Sequence, residues 1–305
     1  YAKAKPLYKR SLAIWKKTLG PDSPTVAKGM NNLGELYRVE GQYPQAESLY
    51  KRSLAIWEKA FGPDHVDVAT SLNNLARVYK IQGQYTLAEP LYQRSLAIWE
   101  KIAGPDHPDV AISLNNLAGL YHMQGHYAKA EPLYKRSLAI LEKALGDTHP
   151  DVAKGLNNLA ELYTAEGSLM LAKPLFERAL AINENAFGPD HPDVATTLNN
   201  LGHLYYVQGN FTVAKLFFER SLTIWEKTFG PDHPHVALSL NNLAALYQAQ
   251  DQYSEAEPPF IRSLAILEND LGRKPPGVIM SLTNLPDFYR KNGIAIETPE
   301  MDKSA

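Results

Sequence analysis

Two adjacent asparagines followed by a leucine recur along this chain. They stand at Asn31-Asn32-Leu33, Asn73-Asn74-Leu75, Asn115-Asn116-Leu117, Asn157-Asn158-Leu159, Asn199-Asn200-Leu201 and Asn241-Asn242-Leu243. Each step is 42 residues, and a damaged seventh copy reads Thr283-Asn284-Leu285. A primary amide offers N–H donors and a carbonyl acceptor, and it carries no charge. A ladder of such groups can hydrogen-bond without reading a side chain. Other chemistry finds little support. There is no phosphate-binding Gly loop, no Ser nucleophile elbow and no repeated acid pair outside the helix-start turns. His65, His107, His149, His191 and His233 each stand alone in a loop. Zinc wants three or four ligands at about 2.0–2.3 Å, so these histidines read as loop and helix N-terminus residues; His235 breaks the pattern. No metal, no cofactor and no catalytic residue is expected.

The elements that position the amides follow from the period. Self-similarity at a fixed step of this size is the mark of a solenoid, in which each unit buries its apolar face against the next. In the second unit, Leu72, Leu75, Ala76 and Tyr79 fall on one face of a helix A that runs to about Gln82. Gly83 ends it. Helix B runs from about Thr86 to Ile102-Ala103-Gly104, with Ala88, Tyr92, Ser95, Leu96 and Trp99 as its buried stripe. In most copies a proline such as Pro108 or Pro192 opens helix A, where its missing N–H costs nothing. Pro90, Pro132, Pro174 and Pro258 sit four or five residues into helix B. The first four N–H groups of a helix have no intrahelical partner, so these prolines are expected at the edge of the free zone. Trp15, Trp57, Trp99 and Trp225 share one repeat position with Leu141 and Leu267, an interchange that indicates core packing.

Composition bounds the rest. The chain has 305 residues, formal charge −2 and no cysteine. A nucleic-acid protein would usually show a strongly basic face, so no nucleic-acid partner is expected. Without cysteine there is no disulfide framework and no thiolate nucleophile; a reducing, cytoplasmic setting is the expectation. No apolar run approaches the roughly 20 residues that span a bilayer, so no membrane partner is expected. The chain opens inside a repeat, because Tyr1-Ala2-Lys3-Ala4 aligns with Tyr43-Pro44-Gln45-Ala46; it reads as a piece of a longer array.

The spacing Leu72-x2-Leu75-Ala76-x2-Tyr79, then Gly83-x-Tyr85-x2-Ala88-x3-Tyr92-x2-Ser95, resembles the tetratricopeptide repeat. The longer unit, with LNNLA, AEPLYKRSLAI and LGPDHPDVA, is similar to the kinesin light chain class of that repeat. The resemblance covers residues 1–292 and implies an all-α, right-handed solenoid of antiparallel helix pairs. The expected organisation is a partial repeat at 1–19 (helix B only), six units at 20–271 forming one continuous array, a degenerate helix A or cap at 272–292, and a poorly ordered tail at 293–305. Pro275, Pro276 and Pro286 mark the degeneration.

The resemblance also implies a function: a non-enzymatic scaffold that binds an extended peptide in a groove lined by helix A. On that footing the first amide of each pair (Asn31, Asn73, Asn115, Asn157, Asn199, Asn241) is assigned to the groove, holding a peptide's main chain. The second amide is assigned to the stack. Residues that differ between copies carry the choice of partner. Lys28, Arg38, Arg77 and Lys80, with Glu35 as the one acidic neighbour, make the N-terminal part basic. Ile112, His122 and Met123 follow, then Lys154, Glu161 and Thr164, then His203, Tyr206 and Val207. Leu238, Ala245 and Gln248 are neutral. Arginine pairs bidentately with carboxylates, and apolar side pockets take aromatic or leucine anchors. The expected ligand is therefore an acidic, aromatic-containing peptide. Lys51-Arg52, Lys135-Arg136, Arg94 and Arg178 are expected to stud the opposite face in solvent. Two alternatives remain. One is a structural array with weak head-to-tail self-association, helix A of 276–292 being completed by residues 1–19 of another copy. The other is the sensor or regulatory arm of a larger signalling protein.

Overall fold

A computed structural model describes residues 4–271 of the chain, with side chains to residue 268. The expected degenerate cap at 272–292, its prolines Pro275, Pro276 and Pro286, the Thr283-Asn284-Leu285 copy and the tail lie outside the described residues. So does the helix that the head-to-tail alternative needs.

The described residues form thirteen α-helices and no strand: α1 (Ala4–Leu19), α2 (Pro24–Val39), α3 (Tyr43–Phe61), α4 (Val66–Ile81), α5 (Tyr85–Ala103), α6 (Pro108–Met123), α7 (Tyr127–Leu145), α8 (Pro150–Glu166), α9 (Leu169–Phe187), α10 (Pro192–Val207), α11 (Phe211–Phe229), α12 (Pro234–Ala249) and α13 (Tyr253–Leu271). They fall into two compact units, Tyr1–Gly167 and Ser168–Ala305. In the first, α1 to α8 pack in sequence, and α2, α4, α6 and α8 also touch in turn. In the second, α9 to α13 pack in sequence and α10 touches α12. The even-numbered helices correspond to helix A and the odd-numbered ones to helix B, and within each unit helix A packs against the helix B before and after it. Each unit is thus the stacked helix-pair arrangement of an α-solenoid.

The loop histidines cap helix A. Nδ1 of His65, His107, His149 and His191 accepts from the backbone N–H of Asp67, Asp109, Asp151 and Asp193 at 3.1–3.3 Å. His233 does the same for His235 at 3.3 Å. Each satisfies one of the donors that a helix start leaves open. Helix B ends on a glycine with positive φ, as at Gly62 (84°) and Gly104 (86°), a region that costs glycine nothing.

Pro90 departs from expectation. It is the sixth residue of α5, which begins at Tyr85, and the helix runs through it. The N–H of Ala88 already bonds Gln84, so the free zone has ended before residue 90. The proline removes one intrahelical bond, the one Thr86 would accept. The buried stripe of α5 is Ala88, Tyr92, Ser95 and Ile98; Leu96 and Trp99 are only half-buried. Trp57 and Trp225 are buried in apolar clusters with Ile56 and Ile224.

Four helix-B arginines brace one helix B against the one before it. Arg94, Arg136, Arg220 and Arg262 pair with Glu58, Glu100, Glu184 and Glu226 of the preceding helix B at 2.6–2.7 Å. The same guanidinium groups donate to the carbonyls of Pro63, Pro105, Pro189 and Pro231. Exposed pairs of this kind are worth about 0–1 kcal/mol each, but this one recurs at four steps among the described residues. Tyr79, Tyr121 and Tyr163 donate to Glu47, Glu89 and Glu131. In the second unit the matching tyrosines Tyr205 and Tyr247 instead sit under Lys173 and Lys215.

Candidate functional site

The asparagine pairs join successive helices A. Asn74 donates its side-chain N–H to Asn31 at 3.3 Å, Asn116 to Asn73 at 2.9 Å and Asn158 to Asn115 at 2.8 Å. In the second unit Asn242 donates to Asn199 at 2.8 Å. In these four bonds the first amide of one pair accepts and the second amide of the next donates, so Asn31, Asn73, Asn115 and Asn199 belong to the contact between repeats together with Asn74, Asn116, Asn158 and Asn242. Asn31, Asn73 and Asn115 stay half-exposed, while Asn157, Asn199 and Asn241 are buried. Asn31, Asn73 and Asn115 accept through Oδ1, which leaves their Nδ2 groups available as donors.

The variable residues separate into groups. In the first unit Glu35 is a hub. Arg38 grips it bidentately, at 2.8 Å from Nε and 2.6 Å from Nη2. Tyr50 of α3 donates to it at 3.0 Å, and Arg77 of α4 reaches it at 3.9 Å. Burial works to raise the Glu35 carboxyl, but the Arg38 bond and the charges of Arg38 and Arg77 outweigh that and hold it below the usual carboxylate value. Arg38 is therefore already committed to a carboxylate.

One repeat on, the pattern changes. Arg77 stands where Glu35 stood, and Tyr92 where Tyr50 stood. Tyr92 is fully buried and its hydroxyl has no hydrogen-bond partner. Burial pushes its pKa up, while Arg77 and Arg38 pull the other way. Lys80 is half-buried, and burial followed by repulsion from Arg77 lowers its pKa. No acidic side chain pairs with it among the described residues.

The third repeat has Gly119 at this position. A Cβ placed there would lie 3.4 Å from the Tyr134 hydroxyl and 3.6 Å from Lys80 Nζ. The missing side chain leaves room beside the ammonium. His122, one turn further along α6, is half-buried; burial first and Lys80 second depress its pKa, so it is neutral at neutral pH. Arg77 and Lys80 thus form a cationic corner with the neutral His122 beside it, and Glu35 at its edge is already shared with Arg38.

Other predicted residues stand apart. Lys28 is exposed on α2, ten residues before Arg38 and so about 15 Å away along the helix. Lys154 is exposed and paired with Asp151 at 2.9 Å. In the second unit His203 and Tyr206 stack with ring centres 6.3 Å apart, and Tyr206 also meets Phe211 at 5.8 Å.

Sequence reasoning placed Tyr92 in the buried stripe of helix B but missed the change of chemistry along its repeat position behind the face. Tyr50, Tyr92 and Tyr134 occupy one repeat position, and Phe176, Phe218 and Phe260 occupy it later. Alignment on the period shows this change from hydroxyl to hydrocarbon. Asn183, at the tryptophan position, was also passed over. It is buried and donates to the Thr197 hydroxyl at 3.2 Å and the Asp193 carbonyl at 3.3 Å. Among the described residues no group of three or more His, Asp or Glu could hold a metal ion, and no helix is long and apolar enough to cross a membrane.

Family models described as tetratricopeptide repeat match residues 25–85, 67–143, 151–226 and 193–269, and another of the same description matches residues 1–25. No curated protein matches the chain. Among solved structures, the "kinesin light chain nearly identical TPR-like repeats" of Podosopora anserina are 28% identical, with a TM-score of 0.57, over 68% of this chain and 98% of theirs. BtubC (BKLC) of P. vanneervenii is 25% identical, with a TM-score of 0.58, over 79% of this chain and 94% of its own. A Rap protein complexed with competence and sporulation factor is 16% identical with a TM-score of 0.59 over 94% of this chain and 85% of its own, a likeness of fold alone. Repeats of this family typically form non-enzymatic scaffolds that mediate protein–protein interactions. The helix pairs, the 42-residue step and these matches agree: the chain belongs to the tetratricopeptide repeat family, as a kinesin light chain-like array.

Proposed function

We propose that the helix-A face of residues 1–167 binds an extended, acidic segment of a partner protein. The observation that carries this reading is Lys80. A half-buried ammonium whose pKa is lowered by burial and by a second cation is in an unfavourable place until an anion joins it. A carboxylate seated beside Gly119 would meet Lys80 and Arg77 and would lie close to the Tyr134 hydroxyl. Hydrogen bonds to charged groups are worth about 1.5–3 kcal/mol each, enough for one acidic side chain to fix the register of a bound segment. The Nδ2 groups of Asn31, Asn73 and Asn115 would hold its main chain. The stacked His203 and Tyr206 of the second unit, with Phe211 tilted against Tyr206, offer an uncharged, aromatic surface for a different stretch of the partner. The six units are proposed to act as one continuous array in doing so. Reversing charge at Arg77 and Lys80, read by affinity for an acidic peptide, tests the proposal.

A further inference from the structure

We propose that the group received at the second repeat is a phosphate ester, carried by a phosphorylated serine or threonine of the partner. The first repeat supplies the template. There the Glu35 carboxylate lies between Arg38, which grips it through two bonds, and the Tyr50 hydroxyl, which donates to it at 3.0 Å. Tyr50 is fully buried, yet the side chain it reaches is 40% exposed. The hydroxyl at this position therefore lies just beneath the surface.

One repeat on, the donors remain and the carboxylate is gone. Lys80 stands for Arg38 and Tyr92 for Tyr50, and Arg77 takes the place of Glu35. The Tyr92 hydroxyl is buried without a hydrogen-bond partner, a costly state for a polar group, and the charges of Arg77 and Arg38 act on it. Arg77 and Lys80 lie close enough to repel each other. Glu35 is held by Arg38 and stands 3.9 Å from Arg77, too far for a hydrogen bond. Glu161 of α8 acts on the Tyr134 hydroxyl but is not among the charges that act on Lys80. A carboxylate would bring one charge and two oxygens to this corner. A phosphate ester brings about −1.5 to −2 charge at pH 7 and three acceptor oxygens, which match two cations and a hydroxyl, and arginine takes it bidentately. Gly119 leaves room for the larger group: a Cβ there would stand 3.6 Å from Lys80 Nζ.

This inference rests on the peptide-binding reading and names the anion, and its test keeps the two apart. The probes are the N-acetyl, N-methylamide derivatives of phosphoserine, aspartate and serine, with inorganic phosphate as a fourth. Each is titrated into the full chain at neutral pH while backbone amide shifts are followed by NMR. Phosphoserine should give saturable shifts at Arg77, Lys80 and Gly119. Aspartate should bind at least fivefold more weakly, and serine should give no shifts. Inorganic phosphate lacks the main-chain groups that Asn73 and Asn115 would hold and should bind at least threefold more weakly. Lys80→Gln should weaken phosphoserine at least tenfold. Tyr92→Phe installs the residue that later repeats carry, as at Phe176; it should weaken phosphoserine at least threefold without lowering the melting temperature. Aspartate binding as tightly as phosphoserine overturns the phosphate and leaves the acidic reading standing. The acidic reading fails separately, if Arg77→Glu with Lys80→Glu leaves the affinity for an acidic peptide unchanged. No saturable shifts from phosphoserine at these residues, equal binding of inorganic phosphate, or unchanged phosphoserine affinity in Lys80→Gln or Tyr92→Phe also overturns the inference.

Discussion

Asn116 donates its side-chain amide to Asn73 at 2.9 Å, tying the third helix A to the second. The bond recurs from Asn158 to Asn115, so the most repeated words in the sequence are first of all the joints of the stack. Removing one partner leaves the other in a half-buried site without its mate, which costs about 1–3 kcal/mol. Asn116→Ala and Asn73→Ala should each destabilise the chain by about that amount. Because they break one bond, the double variant should fall short of the sum by about 0.5–1.5 kcal/mol. Urea midpoints of the four proteins measure this; strict additivity would mean that the two amides do not act on each other.

Glycine-to-alanine changes separate tight from loose contacts. A Cβ at Gly202 would stand 2.6 Å from the Phe218 ring, which is fully buried. Helix propensity favours alanine by about 1 kcal/mol, but overpacking costs about 1–3 kcal/mol and the ring has nowhere to go. Gly202→Ala should be destabilising. At Gly155 the nearest atoms are leucine methyls at 3.3 and 3.7 Å, next to a cavity of about 280 Å³ into which they can move. Gly155→Ala should be neutral or stabilising in thermal unfolding, and the same loss at both sites would contradict this packing account.

Protonation of His122 is expected to make binding of an acidic ligand depend on pH. Burial and Lys80 hold its pKa below the ordinary value of about 6.5. The unfolded chain therefore takes up this proton first. The stability contributed by neutral His122 is complete above pH 6.5 and is lost as pH falls through the depressed value. An anion beside Lys80 reverses the balance, since it favours the charged ring. Affinity for an acidic peptide should rise between pH 7.5 and 5.5, while its carboxylates remain ionised above about 4.3. His122→Gln should flatten that rise. A titration by calorimetry at several pH values decides it, and an unchanged profile in the variant would remove His122 from the site.

Much of the architecture is legible from spacing alone. The apolar step of Leu72, Leu75, Ala76 and Tyr79, the glycine after each helix and the prolines that open helix A depend on local geometry, and local geometry leaves a mark at a fixed interval. What spacing could not convey was partnership. Arg38 and Arg77 look like two free cations in the sequence; only the fold brings Glu35 against both. Arg136 looks like a solvated charge, because its partner Glu100 lies on the previous helix B. Pro90 looks like a helix-start residue because the sequence pattern puts the start of helix B at Thr86, whereas α5 begins at Tyr85.

The central claim rests on Arg77 and Lys80 as the residues that receive an acidic partner. The most direct measurement is the affinity of the full chain for a peptide of mixed acidic and aromatic residues, found by array screening, against the Arg77→Glu, Lys80→Glu double variant. The account predicts at least a hundredfold loss, about 2.7 kcal/mol, with a circular dichroism spectrum and melting profile like those of the natural chain, and much less loss from Lys28→Glu. Equal affinity of the double variant and the natural chain would contradict it.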